Sequence, residues 1–237
     1  MWQCATDIGV KRAIYLGDML TFYSISRWDK DPTVSKNVGD LQAEIEAFRP
    51  YHARAQALPE GCDWVEGNHE KRFTWMMQKL PGGLSDKVNI KDFLGVELLK
   101  NTRYYTDDWR LVLQPDVVIE HGHEVKYSLK GKYAAESILA HYAEQTTIIG
   151  HTHRIYTAIK TVRGRGVPAL RRVFSCGHLC DEEKENYAHD PDWQQGFMIL
   201  TTYYDQSGQL AYDFHQITMN KDKHGRSSFA YNGKVYK

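Results

Sequence analysis

The feature that most constrains this chain is a strand-then-turn unit repeated four times between Arg12 and His153. Residues 12–16 (RAIYL) form a β-like run ending in Gly17-Asp18, and residues 62–66 (CDWVE) end in Gly67-Asn68-His69-Glu70. Residues 117–120 (VVIE) end in His121-Gly122-His123, and residues 146–149 (TTII) end in Gly150-His151-Thr152-His153. Short apolar runs bounded by turn residues read as strands. Each turn carries Asp, Asn or His at the C-terminal end of its strand, where open α/β sheets gather ligands.

Helical patterns separate these units. Residues 40–58 carry Leu41, Ile45, Phe48 and Ala55 at helical spacing, with Asn37 or Asp40 as N-cap. Residues 70–80 continue from the second turn until Pro81-Gly82-Gly83 stops them, and 132–142 (KYAAESILAHY) read as an alanine-rich helix. Alternating strands and helices predict an α/β layered fold. Residues 172–175, 196–201 and 209–218 read as strands of an antiparallel sheet with a hairpin turn at Ser207-Gly208. The polar stretch 220–237 reads as a loose or edge segment, and 2–8 as the last turns of a helix ended by Gly9. No linker or repeat divides the 237 residues, which suit a single domain.

Composition narrows the function classes. Thirty basic residues balance thirty acidic ones, so no overall field draws in nucleic acid or an anionic membrane. Four scattered cysteines suggest no disulfide framework, no apolar run approaches the ~20 residues of a membrane span, and the first residues have no signal architecture. The setting expected is reduced and cytoplasmic. The turn residues themselves offer oxygen and imidazole donors suited to Mn, Fe, Zn or Ni ions rather than Ca²⁺. A carboxylate such as Asp18 is able to bridge two cations, and cations about 3.5–4 Å apart clamp a phosphoryl group and acidify a water. In the His151-Thr152-His153 turn, side chains two apart point the same way, so each can reach one ion.

This ordered set resembles the calcineurin-like metallophosphoesterase family, whose signature is D-x-H, G-D-x-x-D, G-N-H-[DE], H-G and G-H-x-H. The likeness runs over residues 12–197, and Gly177 with Trp193-Gln194-Gln195-Gly196-Phe197 resembles the compact phage- and bacteria-type branch. The resemblance implies a four-layer α/β-β/α sandwich that hydrolyses a phosphomonoester or phosphodiester with a metal-activated water. It implies Asp18 as bridging ligand, Asn68, His121 and His151 completing one metal site, and His153 joining Asp18 on the other. The resemblance implies that His69 binds no metal but sits over the phosphate as general acid or transition-state stabiliser, oriented by an acidic partner. Lys71, Arg72 and Arg154 are cations for phosphate oxygens. Arg27 is a further substrate-facing candidate, with a surface salt bridge as the equal alternative. His178 either contacts substrate or replaces a missing ligand.

Two departures qualify the likeness. No D-x-H precedes Gly17-Asp18, and Thr21 stands where G-D-x-x-D has its second aspartate. The first removes two ligands from one metal site and none from the other. A fragment of a longer product, a single-metal variant and a degenerate non-enzyme are the three origins compatible with it. A lost strand also exposes a sheet edge to pairing, which allows a homo-oligomer. The rival functions are a nuclease acting on DNA or RNA, which calls for a cationic track, and a non-catalytic binding module.

Plainer readings accompany the other candidates. Asp18 and Asn68-His69 have helix-capping alternatives, and His123 reads as a support for the ligand His121. Structural zinc at Cys176-Gly177-His178-Leu179-Cys180 lacks a second ligand pair, so buried thiols are expected there. Tyr104-Tyr105, Trp109 and Tyr203-Tyr204 read as packing residues, and residues 181–185 and His189 as solvated loop.

Overall fold

A computed structural model describes residues 1–26, 38–79, 88–106, 110–124, 137, 139–141, 145–163, 169–180 and 192–237. The protein is mixed α/β and divides into two compact units: residues 4–110 with Trp2, and residues 111–237 with Met1 and Gln3.

In the first unit a short helix α1 (Trp2–Asp7) leads to strand β1 (Ala13–Tyr15), which pairs in parallel with β2 (Cys62–Val65). β2 pairs in parallel with β3 (Thr102–Tyr105), giving the order β1-β2-β3 with β1 at an edge. All four residues of the central β2 are buried, as expected for a parallel strand covered on both faces. Helices α2 (Val38–Gln56), α3 (Glu70–Met77) and α4 (Ile90–Leu99) supply core residues to the face that carries Trp64. α4 and β3 were not anticipated from the sequence. α4 starts at a capping box, in which Asn89 accepts the Asp92 N–H at 3.0 Å and Asp92 accepts the Asn89 N–H at 3.3 Å. The core gathers Leu20, Phe22, Leu41, Ile45, Trp64 and Phe73, and Tyr104 packs on Trp64 at 5.4 Å between ring centroids.

Asp63 and His52 are two of the buried polar groups of this unit. Asp63, in the middle of β2, is wholly buried and accepts from Arg103 Nε at 2.7 Å, Arg103 Nη2 at 3.1 Å and Arg12 Nε. Burial alone pushes its carboxyl up, but the bonds from Arg103 and Arg12 outweigh that and hold it below the usual carboxylate range. His52 on α2 is also wholly buried, with Nε2 2.8 Å from the Leu98 carbonyl and Nδ1 3.3 Å from the Tyr15 hydroxyl. A neutral ring that donates from Nε2 and accepts at Nδ1 satisfies both contacts. Burial lowers its pKa, against a smaller opposing pull from the Leu98 carbonyl.

The second unit is built on a five-stranded sheet of order β4-β5-β6-β8-β7. β4 is Leu111–Leu113, β5 Val117–Glu120, β6 Thr146–Ile149, β7 Ile155–Val162 and β8 Ala169–Cys176. β5, β6 and β8 are mutually parallel, and β4 and β7 close the edges antiparallel. The assignment of residues 172–175 to a separate antiparallel sheet is thereby corrected. β8 pairs in parallel with β6 because the unforeseen β7 turns back on it as a hairpin. β9 (Gly196–Tyr204) and β10 (Leu210–Thr218) form the expected antiparallel ribbon. The stretch from residue 220 onward is strand rather than loose chain. β11 (Asn220–Lys221), β12 (Ser227–Tyr231) and β13 (Lys234–Tyr236) make a small antiparallel sheet that buries Phe229 and Tyr236 in stacked contact at 5.1 Å.

The helix expected over 132–142 falls mostly outside the described residues, as do Arg27, Trp109, residues 181–185 and His189. Among the described residues, no helix is long and apolar enough to cross a membrane.

Candidate functional site

The first unit brings together the first two turns. After β1 the chain passes through Gly17 and Asp18, and Asp18 takes a left-handed φ of 56°, a conformation that Asp tolerates better than most residues. After β2 it passes through Gly67, Asn68 and His69 into α3. Asp18 Oδ1 accepts the His69 main-chain N–H at 2.8 Å, and Asp18 Oδ2 stands 3.6 Å from His69 Nε2. Asp18 is thus a carboxylate in contact with both the main chain and the ring of His69. Asn68 is half-buried in the same turn. Gly67 is required by space, since a Cβ there would meet Asp18 Oδ1 at 2.2 Å and the Asp18 main-chain nitrogen at 2.4 Å.

Two carboxylates hold the Asp18 turn from behind. Glu70, wholly buried at the start of α3, accepts main-chain N–H groups from Asp18 and Gly67 on Oε2, both at 2.9 Å. On Oε1 it accepts those of Met19 at 2.8 Å and Leu20 at 3.3 Å. Glu44 on α2 accepts the N–H groups of Thr21 and Phe22, the latter at 3.1 Å to Oε2. Thr21 is exposed, and its carbonyl takes a bond from Arg72 Nη1. Neither glutamate's role was visible in the sequence beyond the motif letter at position 70.

The second unit gathers the histidines. His121 follows β5 and His151 follows the adjacent parallel strand β6, and their ring nitrogens Nε2 and Nδ1 lie 3.1 Å apart. His123 packs beside them, its centroid 5.3 Å from His121 and 6.1 Å from His151, with Nε2 3.1 Å from Glu124 Oε1. His151 and His153 both have positive φ, 29° and 57°. Non-glycine residues there carry about 1–3 kcal/mol of strain each, and such strain concentrates at functional sites. His153 leans on Trp193 at 4.6 Å and on His178 at 5.3 Å between centroids. His178 is buried, and its Nδ1 lies 2.9 Å from Cys180 Sγ. Arg154 pairs with Asp192 at 3.5 Å.

Burial pushes the Cys176 thiol up to about 12, and among the described residues the cluster whose ligand atoms converge does not include Cys176, His178 or Cys180. Trp193 was anticipated only as part of the likeness, and its packing against His153 and His178 is a contact that the sequence did not signal.

Comparison with protein-family models, with curated proteins and with solved structures finds no match.

Proposed function

We propose that this chain is a metal-dependent phosphoesterase with the four-layer α/β-β/α architecture of the calcineurin-like enzymes. The observation that carries the reading is the His121–His151 pair. Two imidazole nitrogens from neighbouring parallel strands face each other at 3.1 Å, and one of the two residues is held in a strained backbone. Neutral imidazoles, a carboxylate and an amide oxygen fit a borderline divalent ion such as Mn, Fe, Zn or Ni.

In this reading Asp18, Asn68, His121 and His151 would hold one ion, and Asp18 with His153 would contribute to a second that draws fewer ligands from this sequence. Bound ions supply two things, a more acidic water and neutralisation of phosphoryl charge. The protein's own groups do the rest. His69 gives a proton to the departing oxygen, and the Asp18 carboxylate 3.6 Å from its Nε2 helps to orient the ring. His178 and Arg154 lie beside His153 to meet substrate oxygens, with Arg154 leaving Asp192 to do so.

The test is hydrolysis of bis-p-nitrophenyl phosphate with added Mn²⁺ by the wild type, His69→Ala and Asp18→Asn. Both variants are expected to lose at least about 100-fold in kcat, the lower range of general acid–base contributions. Equal rates for all three would end the proposal.

A further inference from the structure

We infer that Glu70 is the positioning residue of this site, its buried carboxylate acting as an anion lodged in a nest of main-chain N–H groups that fixes Asp18 and His69 relative to each other. The inference rests on the reading of Asp18 and His69 as a functional pair and adds the device that sets their geometry.

The chemistry begins with burial. Glu70 has no exposed surface, and a carboxylate removed from water is unfavourable unless hydrogen bonds replace its hydration. Four main-chain N–H groups do so, from Asp18, Met19, Leu20 and Gly67, at 2.8–3.3 Å. Three come from consecutive residues of the turn after β1, a concave arrangement of N–H groups of the kind that binds anions. The fourth comes from the turn after β2. One side chain therefore ties together the ends of two parallel strands. It also stands in the first turn of α3, where the helix dipole favours negative charge.

The consequence reaches the functional pair through both of its members. Asp18 keeps a left-handed backbone that an unanchored aspartate would readily leave, and its own N–H is one of the four bonds. His69 is the residue before Glu70, so the helix start that Glu70 anchors also fixes the main-chain N–H that Asp18 Oδ1 accepts. Glu70 thus acts through the backbone on two side chains.

A purely space-filling role makes a different prediction. Glu70→Gln keeps the size and shape but removes the charge, and its amide –NH₂ turns a donor toward two of the four N–H groups. In this variant the amides of Asp18, Met19, Leu20 and Gly67 are expected to lose hydrogen-exchange protection. Mn²⁺ affinity and kcat on bis-p-nitrophenyl phosphate should fall about 10- to 100-fold, the range of outer-sphere partners of metal ligands, with substrate KM little changed. Leu94→Ala, a cavity in the same core, serves as the control: it lowers stability and leaves kcat per folded molecule unchanged. Unaltered amide protection, or an unaltered kcat in Glu70→Gln, would overturn the inference. If Glu70→Gln does not fold, the wild type decides, because four amides exchanging at unstructured-peptide rates would overturn it equally. A wild type inactive with every ion tried defeats the phosphoesterase reading instead, and the amide protection still tests the nest independently.

Discussion

His69 meets Asp18 twice, through its main-chain N–H at 2.8 Å from Oδ1 and through its ring at 3.6 Å from Oδ2. The double contact is possible because Gly67 has no side chain to stand between the two turns. Gly67→Ala puts a methyl group 2.2 Å from Asp18 Oδ1, and the nearby main chain leaves little room to yield. The variant is expected to lose about 1–3 kcal/mol of stability, the usual range for overpacking, and to lose activity beyond its loss of folded protein. Urea denaturation and kcat per folded molecule check the two parts.

The pair of ring nitrogens at 3.1 Å makes His121 and His151 mutually dependent. Replacing either with Ala should reduce Ni²⁺ or Zn²⁺ affinity by more than the ~10- to 100-fold expected for an outer-sphere partner. His123→Ala should fall within that smaller range. Isothermal titration of the three variants against each metal distinguishes a ligand from a supporting residue, and equal losses for all three would contradict the assignment.

His52 makes stability depend on pH with a definite sign. Its folded pKa is lowered, mainly by burial. Above the ordinary value of about 6.5, folded and unfolded chains are both neutral at this position and its contribution is constant. As pH falls through about 6.5, the unfolded chain takes up a proton that the folded chain refuses, so stability drops until the depressed folded value is reached. Urea midpoints between pH 8 and pH 5 should therefore fall more steeply in the wild type than in His52→Gln. Parallel pH profiles would refute this.

Asp63 with Arg12 and Arg103 gives an asymmetric prediction. Asp63 is wholly buried, while the arginine side chains are 28% and 48% exposed. Asp63→Asn leaves both guanidinium groups able to reach water and is expected to cost about 1–3 kcal/mol. Arg12→Met combined with Arg103→Met strands a buried charge and should cost about 3–5 kcal/mol. Denaturant midpoints of the two proteins test the order.

The strand-and-turn units were legible because each combines a short apolar run with a sharply punctuated end. β5 and β6 fall at the expected bounds, and β1 and β2 within a residue of them. β7 escaped notice because its sequence, IYTAIKTV, mixes polar and apolar residues and buries only Ala158 fully. Without β7, the parallel pairing of β8 with β6 could not be foreseen. The C-terminal sheet was masked by polar composition, although Asn232-Gly233, both at positive φ, is a strong hairpin signal between two aromatic-bearing strands. At the site, the residue types in the turns were readable. The supporting carboxylates were not, because Glu44 and Glu70 bind main-chain N–H groups, and nothing in a side-chain pattern announces which backbone a distant glutamate will reach.

That indifference to side chains has a practical side. Because Glu70 recognises residues 18 to 20 by their amides alone, the path of the loop is specified separately from the chemical character of position 18. An Asp18→Asn exchange, which keeps a residue tolerant of left-handed backbone, should therefore leave the four bonds to Glu70 in place and alter only what position 18 presents.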